Sequence, residues 1–159
     1  MQTHARVAVA PRRQSPGLKL QPPEPPIALL DSLGDCGRED HIVILGHDGP
    51  DLMCGLLRAG AQQVSHLRSL ERSEADSASL VIVPHLASAD WLAAALPAVR
   101  RVLVANGRLV IAMDVLPSTL NQVRHLLTLH GFVEIRLGRA VGQQVLCAEI
   151  PAFGLRRCA

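Results

Sequence analysis

The stretch HIVILGHDGPDLMCGLLRAG (residues 41–60) decides the fold, because a strand, a glycine-bearing turn and a helix follow one another in it without a break. The unbroken apolar run over residues 42–45 predicts a strand buried on both faces of a parallel sheet. Residues 46–50 are typical of a turn, and Pro50 suits the first position of a helix, where its missing N–H costs nothing. Apolar residues then recur at helical spacing up to Gly60, which is suited to end the helix.

The turn between this strand and this helix is the first candidate binding site. A strand, a tight turn and a helix start leave several backbone N–H groups pointing at one spot outside the carboxyl end of the strand, where open α/β sheets bind ligands. Gly46 and Gly49 form a GxxG pattern and not the full GxGxxG of nucleotide-binding turns. An ordinary connection that binds nothing is therefore an equally good interpretation of the turn taken alone.

Length and composition fit one domain with a proper core and argue against several classes of partner. The chain has 159 residues, 48% apolar composition and a formal net charge of +2. Its 16 basic and 14 acidic residues are interspersed, so we predict no nucleic-acid partner. No apolar run approaches the roughly 20 residues of a membrane span, and the N-terminus lacks the apolar block of a signal peptide. We therefore predict a soluble, cytoplasmic protein with no membrane partner.

The four cysteines indicate neither a disulfide framework nor a metal site. They are widely spaced, without a CxxC pair and without a histidine at zinc-ligand spacing, at Cys36, Cys54, Cys147 and Cys158. We predict ordinary thiols in a reducing compartment and no bound metal.

Residues 1–40 differ in composition from the rest of the chain. They hold six of the eleven prolines, most of them in the run over residues 22–26, which predicts a disordered, Pro-rich arm. Residues 27–33 are suited to a short helix packed against the domain. The early basic residues fit an organelle presequence, but the helical amphipathic pattern of such a segment is absent. The globular domain is predicted over residues 41–152 and a short tail over residues 153–159.

Strands and helices alternate along the rest of the domain, which predicts a mainly parallel α/β sheet. One helix is predicted over residues 90–105, with Pro97 either kinking it or restarting it. Another is predicted from Pro117 to Gly131. The polar residues 68–79 have room for one or two helical turns. The last two strands, joined through glycines, predict an antiparallel pair. The predicted strands after the first cover residues 63–67, 80–83, 108–113, 132–137 and 143–150.

Residues 80–113 resemble the second half of a class I S-adenosylmethionine-dependent methyltransferase domain. In that family a strand and a helix are followed by an arginine-valine-leucine turn, a glycine turn and the next strand, which correspond to residues 101–103 and 106–109 here. His130-Gly131-Phe132 before a new strand is similar too. The resemblance covers residues 41–150 and implies a Rossmann-like sheet with helices on both faces. The expected strand order is second, first, third, fourth, last, next-to-last along the chain.

The resemblance implies S-adenosylmethionine as the cofactor. It places the cofactor against residues of the first turn and of the turn after the 80–83 strand, namely Gly46, His47, Asp48, Gly49, Pro84 and His85. His85 is a candidate general base or substrate contact, because imidazole exchanges a proton near neutral pH; a structural or exposed histidine is the alternative. Asp114 and Trp91 fit a surface carboxylate and a packing residue better than catalytic groups.

Three departures from the family pattern bear on activity. The family's first turn follows an acidic residue and carries glycines at alternate positions, where this chain has Ile44, Asp48 and Pro50. The second strand ends in Leu67-Arg68-Ser69, where the family has an acidic residue that binds the ribose, and Glu71 is the nearest acid. Residues 68–79 are too few for a further strand with its flanking helices, so the family's third strand is predicted to be missing.

Two functions of different class remain open after these departures. The first is a methyltransferase that moves a methyl group from S-adenosylmethionine to a small-molecule or protein acceptor, with catalysis resting mainly on positioning. The second is a pseudoenzyme, a methyltransferase-like domain that has lost cofactor binding and acts as an interaction or scaffold module. Its protein partner would bind the Pro-rich arm or the sheet edge left free by the missing strand.

Overall fold

The computed structural model describes residues 41–47, 49–114, 117–140 and 143–152. The predicted Pro-rich arm, its helix over residues 27–33, the tail over residues 153–159 and Asp48 lie outside the described residues. In chain order the elements are β1 (His41–Leu45), α1 (Gly49–Arg58), β2 (Gln63–Leu67), β3 (Ala78–Val83), α2 (Ala89–Val102), β4 (Leu103–Met113), α3 (Pro117–Leu129), β5 (Val133–Ala140) and β6 (Gln143–Glu149).

The strands form one six-stranded sheet in the order β2-β1-β3-β4-β6-β5, which confirms the predicted order. β1, β2, β3 and β4 run parallel to one another, whereas β6 runs antiparallel to both β4 and β5. The terminal antiparallel pair expected from the resemblance is therefore present. The family's third strand, which would lie outside β2, is absent from the described sheet.

Apolar side chains from both faces of the sheet make up the core. Toward α2 and α3, the strands contribute Val43, Val81 and Ile111, which pack with helix residues such as Leu96 and Leu127. On the opposite face α1 packs through Leu56, and complete burial of one leucine side chain is worth about 1.5–3 kcal/mol. Burial on both faces explains why β1 and β3 are continuous apolar runs rather than alternating ones.

Helix α2 confirms one boundary predicted from sequence and corrects another. Ser88 is the N-cap, and its side-chain oxygen accepts a hydrogen bond of 3.0 Å from the Trp91 backbone N–H. Pro97 lies inside a single helix and does not restart it. The prediction that the helix continues to residue 105 is wrong, because Leu103 already pairs with Ala78 of β3.

The predicted turn at residues 106–107 is a bulge within β4. Ala78 pairs with Leu103 and Leu80 pairs with Arg108, so extra residues of β4 are accommodated between these two pairs. Asn106 takes a φ of 61°, a left-handed conformation that asparagine tolerates better than most residues. A bulge of this kind reads in the sequence as a turn.

Residues 68–77 form turns without a helix or a strand, so the one or two helical turns predicted there are absent. Arg101 of α2 holds this segment, since its guanidinium donates to the carbonyl oxygens of Leu70 at 2.8 Å and Glu71 at 3.1 Å. The Asp76 N–H in turn donates to the Arg101 carbonyl oxygen at 3.0 Å. A short clamped connection thus replaces the strand and helices of the larger fold.

Two element boundaries differ by one residue from the prediction. α1 begins at Gly49, one residue before Pro50. β5 begins at Val133, and Glu134 with a φ of 50° lies at a register shift between β5 and β6. Gly60, with a φ of 102°, follows α1 as predicted. None of the helices in the described ranges is long and apolar enough to cross a membrane.

Candidate functional site

The turn after β1 lies at the carboxyl edge of the parallel strands, as predicted. Gly46 has a φ of 130°, a conformation that L side chains rarely adopt. A Cβ placed on Gly46 would meet no atom within 4 Å, so the space beside this residue is open. The turn therefore leaves its backbone accessible at Gly46, where a ligand can approach closely.

Gly49 has a different role from Gly46, and this role was not predicted. A Cβ on Gly49 would overlap the imidazole ring of His66 in β2. The same ring lies 2.7 Å from the Gly46 carbonyl oxygen, measured from Nε2, and the carbonyl can only accept, so Nε2 carries the proton. Gly49 is thus required by a side chain of the protein itself. The sequence offers no local signal for this, because His66 is 17 positions away from Gly49 and adjacent only through β-pairing.

The remaining predicted residues of the first turn contribute differently. His47 is exposed, and Asp48 lies outside the described residues. Asp51 in the first turn of α1 is exposed and adds a negative charge near the positive end of the helix. A negatively charged ligand at this helix end would meet that carboxylate as well as the backbone N–H groups.

Pro84 and His85 follow β3 directly and are brought to the same edge as the first turn, because β1 and β3 are parallel neighbours in the sheet. Pro84 is half-buried and His85 is exposed. The segment is fixed by the Leu86 N–H, which donates to the Ala112 carbonyl oxygen of β4 at 3.1 Å. Within the described part of the chain, His85 has no hydrogen-bonding partner that would orient it as a base.

A groove of about 220 Å³ opens beside this edge, between the segment after β2 and helix α2. Its polar side is formed by Arg68, Ser69 and Glu71, and its apolar side by Leu45 and Trp91, with three alanines of α2 and Leu70 completing the lining. Trp91 also packs against the core, so it serves both as the expected packing residue and as a wall of the groove. Sequence reasoning did not identify the groove, since it forms between segments about 20 residues apart.

Glu71 is the acidic residue nearest in sequence to the end of β2, where the resemblance implies an acid that binds the ribose, and it lines the groove. Arg68 stands at the end of β2 and is exposed, whereas Glu71 lies three residues further on in the lining of the groove. The turn that places it is closed by a hydrogen bond of 3.3 Å from the Glu71 N–H to the Ser69 hydroxyl oxygen and by the Arg101 clamp. The groove thus has an acidic side chain despite the altered strand end.

Asp114 lies at the far side of the same edge, after β4. Its carboxylate accepts a hydrogen bond of 3.0 Å from the Gln143 side-chain amide, and Asp114 is exposed. This pairing fits a surface carboxylate that ties the end of β4 to the start of β6. Among the described residues, three or more His, Cys, Asp or Glu side chains do not come together in an arrangement that would hold a metal ion.

Comparison with known proteins identifies the fold. No protein-family model matches the chain, and no curated protein matches its sequence. Among solved structures, it is similar to a candidate S-adenosyl-L-methionine-dependent methyltransferase from Methanococcus maripaludis, with a TM-score of 0.65 and 10% identity over 82% of this chain and 86% of that one.

Two ligand-bound methyltransferase structures show the same likeness. A Haemonchus contortus phosphoethanolamine N-methyltransferase, in complex with S-adenosylhomocysteine, has a TM-score of 0.64 and 11% identity over 79% of this chain and 52% of that one. A Burkholderia thailandensis 1,6-didemethyltoxoflavin-N1-methyltransferase, also with S-adenosylhomocysteine, has a TM-score of 0.57 and 13% identity over 79% and 77%. The chain therefore has the Rossmann-like methyltransferase fold that its sequence resembled.

Proposed function

We propose that this protein binds S-adenosylmethionine at the carboxyl edge of β1 and β2 and transfers its methyl group to a small-molecule or protein acceptor. The observation that carries the proposal is the open side of Gly46, a positive-φ glycine at the strand-to-helix turn beside the groove. In open α/β sheets this is the position where ligands bind. The shared fold supports the proposal by analogy only.

The residues at this edge fit the two ends of the cofactor. The open side of Gly46 suits the amino-acid end of the cofactor, because no atom of the protein blocks a close approach there. Glu71 suits the ribose hydroxyls, because a carboxylate accepts hydrogen bonds from both, and Leu45 and Trp91 suit the adenine ring. The groove of about 220 Å³ is smaller than the roughly 300–1,000 Å³ of drug-sized pockets, so it fits the nucleoside end while the other end lies over the turn.

Catalysis in this proposal rests on positioning. The cofactor supplies a methyl group on a positively charged sulfur, which needs no further activation by the protein. The turn and the groove would hold the cofactor, and Pro84 and His85, at the same edge of the sheet, would lie on the side of the acceptor. His85 takes a proton from the acceptor where the acceptor carries one, and its exposure allows the proton to pass to water.

We propose a small molecule or a protein segment as the acceptor, and not a nucleic acid, because acidic and basic residues are interspersed in the sequence without a long basic block. A location in the cytoplasm belongs to the proposal too. Cys54 is an exposed thiol outside any disulfide, which a reducing compartment maintains.

Calorimetric titration of the full chain with S-adenosylmethionine and S-adenosylhomocysteine tests cofactor binding. Micromolar affinity, roughly −8 kcal/mol, is expected for at least one of them. Glu71→Gln should weaken binding, whereas Glu74→Gln, at an exposed position of the same segment outside the groove, should leave it unchanged. Absence of heat and of thermal stabilisation at millimolar ligand would contradict the proposal.

The second candidate function, a pseudoenzyme that binds a protein partner, is favoured by the outer edge of β2, which pairs with no further strand among the described residues. Its residues, QVSHL, carry no Lys, Arg, Asp or Glu, whereas β5 at the other edge carries Glu134, Arg136 and Arg139 and a register shift. Charges and bulges protect edge strands from pairing, so β2 is the less protected edge. A partner that adds a strand there should be lost in Gln63→Pro, because proline removes an N–H and is tolerated at the first residue of a strand.

A further inference from the structure

We infer that His66 is a positioning residue for the proposed cofactor turn: it fixes the Gly46 carbonyl group to β2 and closes the Gly49 side, so that a ligand approaches the turn from the Gly46 side. This inference rests on the proposed function. It concerns a side chain on β2 that does not belong to the turn itself. His66 acts through the backbone of the turn and is therefore not a catalytic residue.

The first step of the argument is the hydrogen bonding of Gly46. Its N–H donates to the Leu67 carbonyl oxygen at 3.0 Å, and its own carbonyl oxygen accepts from His66 Nε2 at 2.7 Å. Leu67 and His66 pair with Leu45 and Ile44 in the parallel ladder. The last two residues of β2 therefore hold both peptide groups that flank Gly46, and the turn leaves β1 in one defined direction.

The second step is the contact with Gly49. An added Cβ there would overlap three atoms of the imidazole ring, Cδ2, Nε2 and Cγ, so the ring lies directly against the start of α1. Gly49 is buried, and His66 is half-buried. A ligand cannot occupy that side of the turn while His66 is in place, but the Gly46 side has no atom within 4 Å of an added Cβ. Of the two glycines in the GxxG pattern, Gly49 therefore makes an internal contact with His66, and Gly46 leaves room for a ligand.

The third step is the kind of side chain that this position needs. A donor must reach the Gly46 carbonyl oxygen, and a flat group must fit against a glycine. Phenylalanine keeps the flat ring but has no donor, whereas glutamine keeps an N–H donor without the ring. These two substitutions separate the hydrogen bond from the packing.

Amide hydrogen exchange, measured by NMR on the full chain without ligand, tests the hydrogen bond between His66 and the Gly46 carbonyl oxygen. In His66→Phe the Gly46 amide keeps its bond to the Leu67 carbonyl oxygen, but the turn loses the bond at the Gly46 carbonyl. Opening of the turn should then be easier by about the free energy of one hydrogen bond, so the Gly46 amide should exchange about five- to tenfold faster, while amides of α2 stay unchanged. His66→Gln should restore most of the protection. Unchanged exchange at Gly46 in His66→Phe would overturn the inference.

A double-mutant cycle tests the packing of His66 against Gly49. Gly49→Ala should lower the melting temperature in the wild-type background and should have a much smaller effect in the His66→Ala background, where the ring is gone. An equal loss in both backgrounds would show that His66 and Gly49 are not coupled, which contradicts the contact.

Titration with S-adenosylhomocysteine tests the positioning role. If the wild type binds, His66→Phe should bind about five- to tenfold more weakly and His66→Gln should recover the affinity. Wild-type-like affinity of His66→Phe would overturn the inference and leave the proposed function intact. A wild type that does not bind would overturn the proposed function and with it the cofactor role of His66. Hydrogen exchange would still test the hydrogen bond between His66 and Gly46.

Discussion

The two halves of the sheet differ in how closely they follow the methyltransferase pattern. From β3 to β6 the chain keeps the alternating strands and helices and the antiparallel end pair. From β1 to the segment after β2, it keeps the strand order of the family. It departs from the family pattern at the turn after β1, at the end of β2 and in the connection over residues 68–77. Burial maintains the half from β3 to β6 and also β1, whose apolar side chains pack in the two core clusters on either face of the sheet. A few glycines and polar residues form the turn after β1 and the segment after β2, and this chain departs from the family pattern there while it keeps the fold.

The largest effect is expected in the half held by burial. Leu96→Ala in α2 removes a fully buried side chain and should destabilise the protein by about 2–5 kcal/mol. Urea unfolding, with Trp91 fluorescence as the probe, measures this. Leu129→Ala is the matched control, because Leu129 is 67% exposed, and it should change the unfolding free energy by less than about 0.5 kcal/mol. Similar losses for the two variants would contradict the described core.

A smaller loss is expected where the missing strand is replaced by the clamped connection. Arg101→Met removes the donor to the Leu70 and Glu71 carbonyl oxygens and should cost about 1–3 kcal/mol. Thermal unfolding measures the loss, and hydrogen exchange in residues 70–77 should rise. Arg58→Met, at an exposed position in the last turn of α1, is the control. No change in exchange in Arg101→Met would mean that other contacts hold the segment.

The N-cap of α2 should contribute about 1 kcal/mol. Ser88→Ala removes the acceptor of the Trp91 N–H, and Ser118→Ala, at an exposed position in α3, is the control. Equilibrium unfolding of both variants makes the comparison, and equal stability of the two would contradict the capping geometry.

The smallest effect on stability is expected for His85→Ala. His85 is exposed, so its removal should change the unfolding free energy by less than about 0.5 kcal/mol. Methyl transfer should fall only where the acceptor must lose a proton, by about 10²- to 10⁴-fold, the usual contribution of a general base. A large loss of stability in thermal unfolding would show that His85 is a structural residue.

Much of the fold could be predicted from local patterns. The apolar runs of β1 and β3, the Ser88 cap and Gly60 after α1 each act within a few residues. The order of the strands followed from the family resemblance and the missing strand from the length of residues 68–79. The β4 bulge was missed, because Asn106 and its neighbours have the composition of a turn and only pairing with β3 distinguishes the two.

The site was less predictable than the fold. Gly46 and Gly49 look equivalent in the sequence, but only the pairing of β2 with β1 brings His66 against one of them. The groove likewise depends on the packing of Glu71 beside α2. Contacts between segments distant in sequence leave no periodicity or spacing that would predict them.

The most direct test of cofactor binding compares two glycines that both have a positive φ. Gly46 and Gly60 both have positive φ and open space around an added Cβ, so Gly46→Ala and Gly60→Ala should lower stability alike, by about 1 kcal/mol. Calorimetric titration with S-adenosylhomocysteine should then show at least tenfold weaker binding, a loss of about 1.4 kcal/mol, for Gly46→Ala, and wild-type binding for Gly60→Ala. Equal affinity of both variants, or no binding by the wild type, would contradict a cofactor site at this turn.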